Sequence, residues 1–597
     1  MPVNHAGAVY WDGNDGTVSN CNFIHNTANW NCGAIFFIGH RGTVSNCNFI
    51  HNTAKYANGG GVFWSGANGT LTDSNFTSNN ADQSGGAVYW GGANGTLTSC
   101  SFNRNNANDA GAAVLWSGAN GKLTDSAFNR NAAGNYGGGV HYSSNGVNCT
   151  LADSTFNSNT AGNYGGAVSW NGVNGNIFNS TFNSNTAGED GGAVCWFGAN
   201  STMASCTFTD NHAIYGDNVY WRWTVDDFLN KYGQINDYDY VYILNGIGTP
   251  LKTIVLNKKG ITISGQSTNV IFDAKGGNLH FEVTGNDILI ENLSFRNFNF
   301  TGNGGAILWT GNNGILKNCN FINNNATYGG GIYWSGVNSA LISSNFINNS
   351  AKERGGGIYW SGANGTLSDS LFSSNFAPVG GGVAWAGAYG VMSSSNFTGN
   401  AAGSGVGGGI WWGSKKGNII SCIFSNNTAR YGAGFRCNGD NCIVTDCIFT
   451  GNNATYGGGI NWWYGANGTV TGCIFTDNYA NTWGGGINWW YGANGTVIDS
   501  TFTENIANEY GGSIYWNIAG SMTNCSFVNS KSQQSNGIYT DNNLNINDGK
   551  GIVYITIKGT LSGTSIVVLN NETYYYPPNT NINFTNKIML KIRQNWL

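Results

Sequence analysis

Cysteine is the residue whose chemistry stands out first in this chain. Nine of its fourteen cysteines occupy one position, two residues before a phenylalanine. A deprotonated thiol is a nucleophile and a metal ligand. Serine fills the same position in other segments, so we interpret it as a place for a small side chain. The cysteines are Cys21, Cys47, Cys100, Cys206, Cys319, Cys422, Cys447, Cys473 and Cys525, and the serines are Ser74, Ser126, Ser154, Ser180, Ser370 and Ser500. Because Cys422, Cys447 and Cys473 fall in successive segments, a thiol or disulfide column is the alternative.

Two other cysteines, Cys437 and Cys442, flank the short loop RCNGDNC and are the best candidates for a local disulfide. The paired Cys-x-x-Cys spacing of zinc sites is not found. His25 and His51 stand in two copies of FIHN, where two imidazoles could bind a metal, but we favour copied surface turns. We therefore predict no metal and no cofactor.

The elements that position these residues follow from an internal repeat. Phenylalanine recurs from Phe76 to Phe208, and again from Phe321 to Phe527, in steps of 25 to 28 residues. Each repeat, such as GGAVYWGGANGTLTSCSFNRNNA (85–107), holds three short strand-like pieces separated by Gly and Asn turns. These pieces are too short for helices, and parallel strands favour right-handed connections. We predict an all-β, right-handed parallel β-helix (a solenoid) with three strands per coil of about 26 residues.

This architecture explains an unusual composition. Charged residues make up 9% of the 597 residues and aromatic residues 14%, and glycine occurs 92 times. Each residue of such a solenoid lies on its own copy one coil away, so columns of like charge would repel. An asparagine column, in contrast, can hydrogen-bond along the axis because its amide both donates and accepts. Asparagine stands three residues after the phenylalanine at Asn26, Asn52, Asn79, Asn105, Asn131, Asn159, Asn185, Asn211, Asn324, Asn349, Asn375, Asn400, Asn427, Asn452, Asn478 and Asn505.

Three motifs carry a resemblance to known families. GGAVYW, GGGIYW (355–360) and FTGNNA (449–454) resemble the GGA[ILV] and FxxN repeats of chlamydial polymorphic outer-membrane proteins. With GANGTL and the abundance of Trp and Asn, the chain most resembles the adhesin-like surface proteins of methanogenic archaea, over residues 1–545. The resemblance implies a right-handed β-helix displayed outside the cell and a role in adhesion. It supplies no catalytic residues.

The repeat pattern changes twice along the chain. After residue 221 it lapses, and TVDDFLNKYG (224–233) is typical of a short capping helix with Thr at its N-cap. Near the end, GIVYITIKGTLSGTSIVVLNNETYYY (551–576) favours an antiparallel sandwich. The predicted domains are a first β-helix over 1–221, a second over 222–545 and a partial immunoglobulin-like β-sandwich over 546–597. One continuous rod with a decorated middle is the alternative, and both chain ends are expected to be cut from a longer protein.

Charge and hydropathy exclude several partner classes. A net charge of −5 gives no electrostatic footprint for nucleic acid. The chain has no apolar run long enough to span a membrane. We predict an extracellular or cell-surface location and partners that are glycans or other cell-surface molecules.

The aromatic strands offer the best binding surface. In AVYW, Val and Trp share one face of the strand and the residue between them points to the other. The Trp column either packs inside or, facing outward, forms a stacking platform for sugar rings. The residues predicted to bind ligand are Tyr89, Trp90, Tyr333, Trp334, Tyr359, Trp360, Trp463, Trp490 and Tyr515. Candidate N-glycosylation sites recur at one turn, at Asn68, Asn94, Asn364, Asn467 and Asn494.

These observations favour a cell-surface adhesin-like or envelope structural protein that binds glycans or other cells through a repetitive face. No catalytic residue is predicted, and the chain is predicted not to be an enzyme. The alternative is a polysaccharide lyase or glycoside hydrolase on the same scaffold, which would need clustered carboxylates. The best such cluster comprises Asp226, Asp227, Asp237 and Asp239.

Overall fold

The computed structural model describes residues 5–518 and 520–540, together with the backbone of five strands after residue 540. It divides into two compact units, unit 1 (1–244 and 258–266) and unit 2 (245–257 and 267–597). Within each unit, short strands pair in parallel with their equivalents one coil away. The predicted all-β parallel β-helix is therefore confirmed. The predicted domain boundary after residue 221 stays a prediction.

A typical coil of unit 1 has four strands. They are Val88–Trp90, Thr96–Thr98, Ser101–Asn103 and Asn106–Ala107, which we name the tryptophan, second, phenylalanine and alanine strands. The first three match the predicted pieces. The two-residue alanine strand was not predicted. It arises because Arg104 takes a positive φ of 55°, which bends the chain and lets Ala107 pair with Ala81 and Ala133 in the neighbouring coils.

The tryptophan strands of unit 1 run as one in-register ladder. Their bounds are Val9–Trp11, Ile35–Phe37, Val62–Trp64, Val88–Trp90, Val114–Trp116, Val140–Tyr142, Val168–Trp170, Val194–Trp196 and Val219–Trp223. The second strands extend from Thr17–Ser19 to Thr202–Ala204, the phenylalanine strands from Asn22–Ile24 to Thr207–Thr209, and the alanine strands from Thr27–Ala28 to Thr186–Ala187.

Unit 2 repeats the same plan. Its tryptophan strands are Ile254–Leu256, Phe281–Val283, Ile307–Trp309, Ile332–Trp334, Ile358–Trp360, Val383–Trp385, Ile410–Trp412, Phe435–Cys437, Ile460–Trp462, Ile487–Trp489, Ile514–Trp516 and Ile538–Thr540. Its second strands begin at Leu289–Glu291, and its phenylalanine strands form a ladder that begins with Gly246–Gly248, Val270–Asp273, Ser294–Arg296 and Asn320–Ile322. The alanine strands that border the site described below are Thr428–Tyr431, Asn453–Tyr456, Tyr479–Trp483 and Ile506–Ala507.

Stacked aromatic columns fill the interior. The indoles of Trp90 and Trp116 stack at 4.8 Å between ring centroids and 4° between planes, and the rings of Phe102 and Phe128 at 4.8 Å and 5°. All four side chains are fully buried. Gly95 is required beside this column, because a Cβ there would lie 2.2 Å from Nε1 of Trp90.

The predicted asparagine column is confirmed as a continuous hydrogen-bond ladder. Nδ2 of Asn105 donates to Oδ1 of Asn131 at 3.0 Å and to the carbonyl of Phe76 at 3.0 Å. The backbone N–H of Asn105 donates to the same Oδ1 at 2.9 Å. Oδ1 of Asn105 accepts both equivalent bonds from Asn79. Each buried amide therefore satisfies backbone groups at a bend as well as its neighbour in the next coil.

The predicted helix is confirmed as Val225–Lys231, followed by a 3-10 turn at Tyr232–Gln234. Thr224 is its N-cap and forms a capping box with Asp227, which also pairs with Lys231 at 2.7 Å. The helix buries Phe228 against Trp223. In the loop that follows, Oδ2 of Asp239 accepts hydrogen bonds from Nε1 of Trp221 at 3.0 Å and from the backbone N–H of Asn236 at 2.9 Å.

The last described strands are known by their backbone alone. Leu544–Asn547, Lys550–Gly551 and Ile555–Ile557 pair in parallel with the preceding coil. Ser565–Leu569 and Glu572–Tyr576 form an antiparallel hairpin. The predicted immunoglobulin-like module at 546–597 otherwise lies outside the described residues and stays a prediction. In the part of the chain that is described, no helix has the length and apolar character needed to cross a membrane.

The asparagine ladder yields a stability prediction. In Asn105→Ala, two donors of Asn79 lose their acceptor and the buried carbonyl of Phe76 loses a donor. We expect the free energy of unfolding to fall by about 3 kcal/mol, since each buried polar group left unpaired costs about 1 to 3 kcal/mol. Urea unfolding followed by circular dichroism measures the loss.

The adjacent residue is a matched control. Asn106 is exposed, and its Nδ2 donates to Asn80 at 2.8 Å on the surface, where water can replace the bond. Asn106→Ala should change the free energy of unfolding by less than about 0.5 kcal/mol. Equal losses for the two variants would contradict a special role for the buried ladder.

The carboxyl of Asp239 yields a pH prediction. Burial raises its pKa to about 8, against the opposing effect of its hydrogen bonds. The folded state therefore holds a proton that the unfolded state loses near pH 4, so this group's contribution to stability is complete below pH 4 and is lost as the pH rises towards 8. Asparagine stays neutral and can still accept the bonds from Trp221 and Asn236. We expect the stability of Asp239→Asn relative to wild type to rise by up to about 1.4 kcal/mol per pH unit across this range.

Urea unfolding at several values between pH 4.5 and 8.5 tests this expectation. Asp226→Asn is the control, because Asp226 is exposed in the first turn of the same helix. A difference between Asp239→Asn and wild type that does not change with pH would show that Asp239 is charged in the folded protein.

Candidate functional site

The tryptophans at the third position of the tryptophan strands point into the solenoid. Trp90, Trp334 and Trp360, three of the residues predicted to bind ligand, are 0% exposed. Trp334 and Trp360 stack on each other at 4.6 Å. Because no part of these indoles reaches the surface, the prediction that they contact a ligand is wrong, and they are core residues.

The middle residues of the same strands face outward. Tyr89, Tyr333 and Tyr359 are half-buried there. The rings of Phe63 and Tyr89 stack at 4.4 Å, and those of Tyr333 and Tyr359 lie 5.2 Å apart at 35°. Their role in binding stays a prediction.

The remaining predicted residues, Trp463, Trp490 and Tyr515, meet in unit 2 as part of a larger cluster. Trp490 stacks on Trp483 at 4.6 Å and 3°, and on Trp463 at 6.0 Å and 8°. Tyr515 is buried against Trp483 and Trp490, at 5.0 and 5.6 Å. We name the outer side chains of this cluster the aromatic patch, and they are Tyr431, Tyr456, Trp463, Tyr464, Trp483, Trp490, Tyr491 and Tyr510.

Three columns of the coil build the aromatic patch. Tyr431, Tyr456, Trp483 and Tyr510 each precede the first glycine of the next tryptophan-strand motif, and their backbones pair in parallel or bridge from coil to coil. Trp463 and Trp490 follow the interior tryptophans, and Tyr464 and Tyr491 come next in the turn. Tyr464 is 60% and Tyr491 46% exposed, and they stack at 5.4 Å at the edge of the patch.

A polar floor lies between these columns. Arg436, Asn461 and Asn488 are register partners at the middle position of three successive tryptophan strands, and they are 7%, 0% and 1% exposed. Arg436 donates from Nη1 to Oδ1 of Asn461 at 3.1 Å and from Nε to Oδ1 of Asn438 at 3.2 Å. Nδ2 of Asn461, both amide atoms of Asn488 and Nε1 of Trp490 are buried without a partner among the described residues. Native proteins rarely leave so many buried polar atoms unpaired.

The guanidinium of Arg436 is held by aromatic rings. It lies 5.2 Å from the ring centroid of Tyr431 and 4.8 Å from that of Trp463. Burial lowers the pKa of Arg436 to about 10, which leaves it charged at neutral pH. Among the described residues it forms no ion pair with a carboxylate. The site is thus a positively charged, donor-rich floor beneath aromatic rings.

Sequence reasoning found Trp463, Trp490 and Tyr515 but missed the residues that join them. Tyr431, Tyr456, Trp483 and the floor arginine and asparagines occupy positions that vary along the repeat. One signal was present: GGGINWWYGANGTV occurs identically at 457–470 and 484–497. Such identity across surface positions exceeds what packing requires, because only the inward residues need to match.

Unit 1 has a different outer column at the equivalent position. His141, Ser169 and Cys195 are register partners there, each below 9% exposed. Nδ1 of His141 and Oγ of Ser169 find no partner among the described residues. Burial lowers the pKa of His141 to about 4, so the imidazole is neutral at pH 7. This column carries no charge, and the aromatic ring of Tyr136 lies beside His141 and stacks on Tyr164.

The predicted carboxylate cluster does not converge on a reaction site. Asp227 caps the helix and pairs with Lys231, and Asp239 is buried against Trp221. Oδ1 of Asp237 accepts a hydrogen bond from the backbone N–H of Lys259. These three carboxylates serve local structure, and Asp226 is exposed on the helix.

The cysteines lie where packing alone accounts for them. Cys100 is 2% exposed, its Sγ donates to the carbonyl of Thr98 at 3.3 Å, and burial raises its pKa to about 12. Ser126, one coil away, makes the same bond to Thr124, so either side chain fits. Cys437 and Cys442 are buried free thiols, whose Sγ atoms donate to the carbonyls of Gly439 and Ser414 at 3.5 Å each, and their disulfide stays a prediction.

Two predicted surface features are turn residues. His25 and His51 stack at 5.0 Å at positive φ, and in the described chain no three His, Cys, Asp or Glu side chains are grouped for a metal ion. The sequon asparagines Asn68, Asn94, Asn364, Asn467 and Asn494 are exposed at positive φ. Their amides form ladders, as where Nδ2 of Asn94 donates to Asn68 at 3.1 Å. Glycosylation of these sites stays a prediction.

Known proteins share the fold of this chain. The family described as right handed beta helix region matches residues 7–176 and 305–465, and a Chlamydia polymorphic membrane protein repeat matches residues 179–195. No curated protein matches the chain.

Solved structures similar to it include a PL6 alginate lyase in complex with a trisaccharide, at 14% identity over 60% of this chain and 92% of the other, with a TM-score of 0.33. A PL6 polysaccharide lyase from Pseudopedobacter saltans shares 12% identity over 55% and 85% of the two chains, with a TM-score of 0.35. A GH87 alpha-1,3-glucanase from Streptomyces thermodiastaticus shares 10% over 55% and 69%, with a TM-score of 0.26.

These structures correct one prediction. The sequence analysis predicted that the chain is not an enzyme, but polysaccharide lyases and a glucanase are built on a helix of this kind. The scaffold therefore gives no ground for excluding catalysis. At such identities the likeness concerns the fold alone.

The family assignment rests on the chain itself. The matched segments lie in both units and together span more than half of the residues. Both units show the stacked parallel coils that the family's description requires. The chain therefore belongs to the right-handed β-helix family.

Proposed function

We propose that this chain is a cell-surface protein that binds glycans through the aromatic patch of unit 2. The observation that carries the proposal is the cluster of partly accessible indole and phenol rings that meet across three columns of the coil. Aromatic rings offer flat apolar faces that pack on the C–H faces of sugars. The phenol hydroxyls of Tyr464 and Tyr491, whose side chains are exposed, can hydrogen-bond to sugar hydroxyls.

The aromatic patch is rigid enough to serve as a binding surface. Trp483, Trp490 and Trp463 form a stacked series along the coils, and Tyr431 meets Trp463 edge to face at 5.9 Å. Each side chain is therefore held by two or more rings and loses little further freedom on binding, which favours affinity. Contiguous exposed aromatic surface on a soluble protein is typical of an interaction site.

Two observations support a surface location. The repeat at residues 179–195 matches a polymorphic membrane protein of Chlamydia. The GANGTL motif and the abundance of Trp and Asn resemble those of adhesin-like proteins of methanogenic archaea. Partners would then be glycans or other molecules displayed on cells.

Truncation of the central indole tests the proposal. Trp490→Ala removes the ring that joins Trp463 to Trp483. We expect the affinity for a bound glycan to fall at least about 10-fold, the loss typical of an aromatic residue at the centre of an interface. The ligand is first selected on a glycan array with the full chain, and its affinity is then measured by isothermal titration calorimetry.

The control is Tyr56→Ala, which removes a 60% exposed tyrosine from unit 1. Its affinity should equal that of wild type. The same samples are assayed for new reducing ends and unsaturated sugar products, so that cleavage would be detected. If Trp490→Ala binds as well as wild type, the patch is not the site. If the intact chain binds no glycan on the array, the proposed function is wrong.

A further inference from the structure

We propose that the aromatic patch binds an acidic polysaccharide and that Arg436, together with Arg430, binds the carboxylate of a uronate residue at the Tyr431 end. This inference rests on the proposed function and names its ligand class. The first observation behind it is that the buried cation Arg436 has no carboxylate partner among the described residues.

Arg436 retains unused donors. Its Nε and Nη1 each donate to an asparagine, whereas Nη2 donates to no described residue. Burying a cation is unfavourable unless it is paired, and here the described chain supplies only neutral oxygens and ring faces. An anion placed at Nη2 would relieve this cost and form a charge-assisted hydrogen bond.

A second guanidinium, that of Arg430, lies against the same tyrosine ring. Arg430 lies over the ring of Tyr431 at 5.1 Å, while Arg436 lies 5.2 Å from the same centroid. Arg430 is exposed, and it too forms no ion pair within the described chain. Two cations beside one ring create a positive field in a chain whose net charge is −5. This field attracts a negative group.

The floor also has more unpaired donors than unpaired acceptors. Nδ2 of Asn461, Nδ2 of Asn488 and Nε1 of Trp490 are donors without partners, against one unpaired acceptor, Oδ1 of Asn488. Of the floor side chains Arg436 is the most exposed, at 7%, and its unused donor fits a ligand group that only accepts. An ionised carboxylate has this property, and its planar shape matches a guanidinium.

One acidic side chain, Glu509, makes the two ends of the patch electrostatically different. Oε2 of Glu509 accepts a hydrogen bond from Nε1 of Trp483 at 3.3 Å, at the end of the patch away from Arg436. The carboxylate of the ligand would be repelled there and attracted at Tyr431. Uncharged parts of the ligand would then pack on Trp463 and Trp490.

A matched pair of ligands tests the inference on the full chain. An oligogalacturonate and its methyl ester present the same sugar rings with and without charge. We expect wild type to bind the acid at least about 10-fold more tightly than the ester, and to lose this preference between 50 and 500 mM NaCl.

Variants locate the charge effect. Arg436→Gln should reduce the preference to less than about 3-fold and Arg436→Lys should keep part of it. Because Arg436 is buried, Arg430→Gln provides a second test at an exposed position and should reduce the preference without altering the melting temperature. Lys352→Gln, an exposed cation away from Tyr431, is the control.

The outcomes separate this inference from the proposed function. Equal binding of acid and ester by wild type would overturn the uronate site and leave glycan binding standing. A preference that survives in both arginine variants would also overturn it. Binding of neither ligand, with no other glycan bound on the array, would overturn the proposed function itself.

Discussion

The contact of each residue with its own copy one coil away is the constraint on which this structure depends. A column of asparagines bonds to itself, as Asn79, Asn105 and Asn131 do. Phenylalanine stacks on phenylalanine and tryptophan on tryptophan at ring distances near 4.8 Å. That distance is the spacing of paired strands. Side chains that attract their own kind at this spacing therefore dominate the chain, and charged ones are few.

The same constraint shows where the chain is free to vary. Inward columns are nearly constant, whereas the middle of the tryptophan strand carries tyrosine, leucine, histidine, serine, arginine or asparagine. These outward residues are kept in register by their backbone pairing, so their side chains can change without disturbing the coil. The aromatic patch and the uncharged column of His141, Ser169 and Cys195 are two results of that freedom on one scaffold. The outward columns are therefore the positions at which such a protein can acquire a binding function.

Much of the fold could be predicted because the same pattern of strand and turn residues recurs in nearly every coil. The period, the strands, the asparagine ladder and the capping helix each follow from local patterns in the sequence. The alanine strand could not be predicted, since it depends on a positive φ at residues such as Arg104 that nothing in their type requires. The site was found only in part. Trp463 covers Arg436 from the next coil, and such contacts between different columns do not follow from the alternation of one strand. For the same reason, the alternation of one strand does not predict that Arg436, at an outward position, is buried.

The two identical segments at 457–470 and 484–497 have a consequence for how such a site changes over generations. Near-identical coding repeats recombine unequally, and each event would insert or delete one whole coil. Because every coil contacts only its neighbours, a gained coil would leave the core intact and add one more tryptophan to the row of Trp463 and Trp490. The length of oligosaccharide that the proposed site would hold, and the avidity of that binding, would then change in whole steps, by the number of coils and without any point substitution.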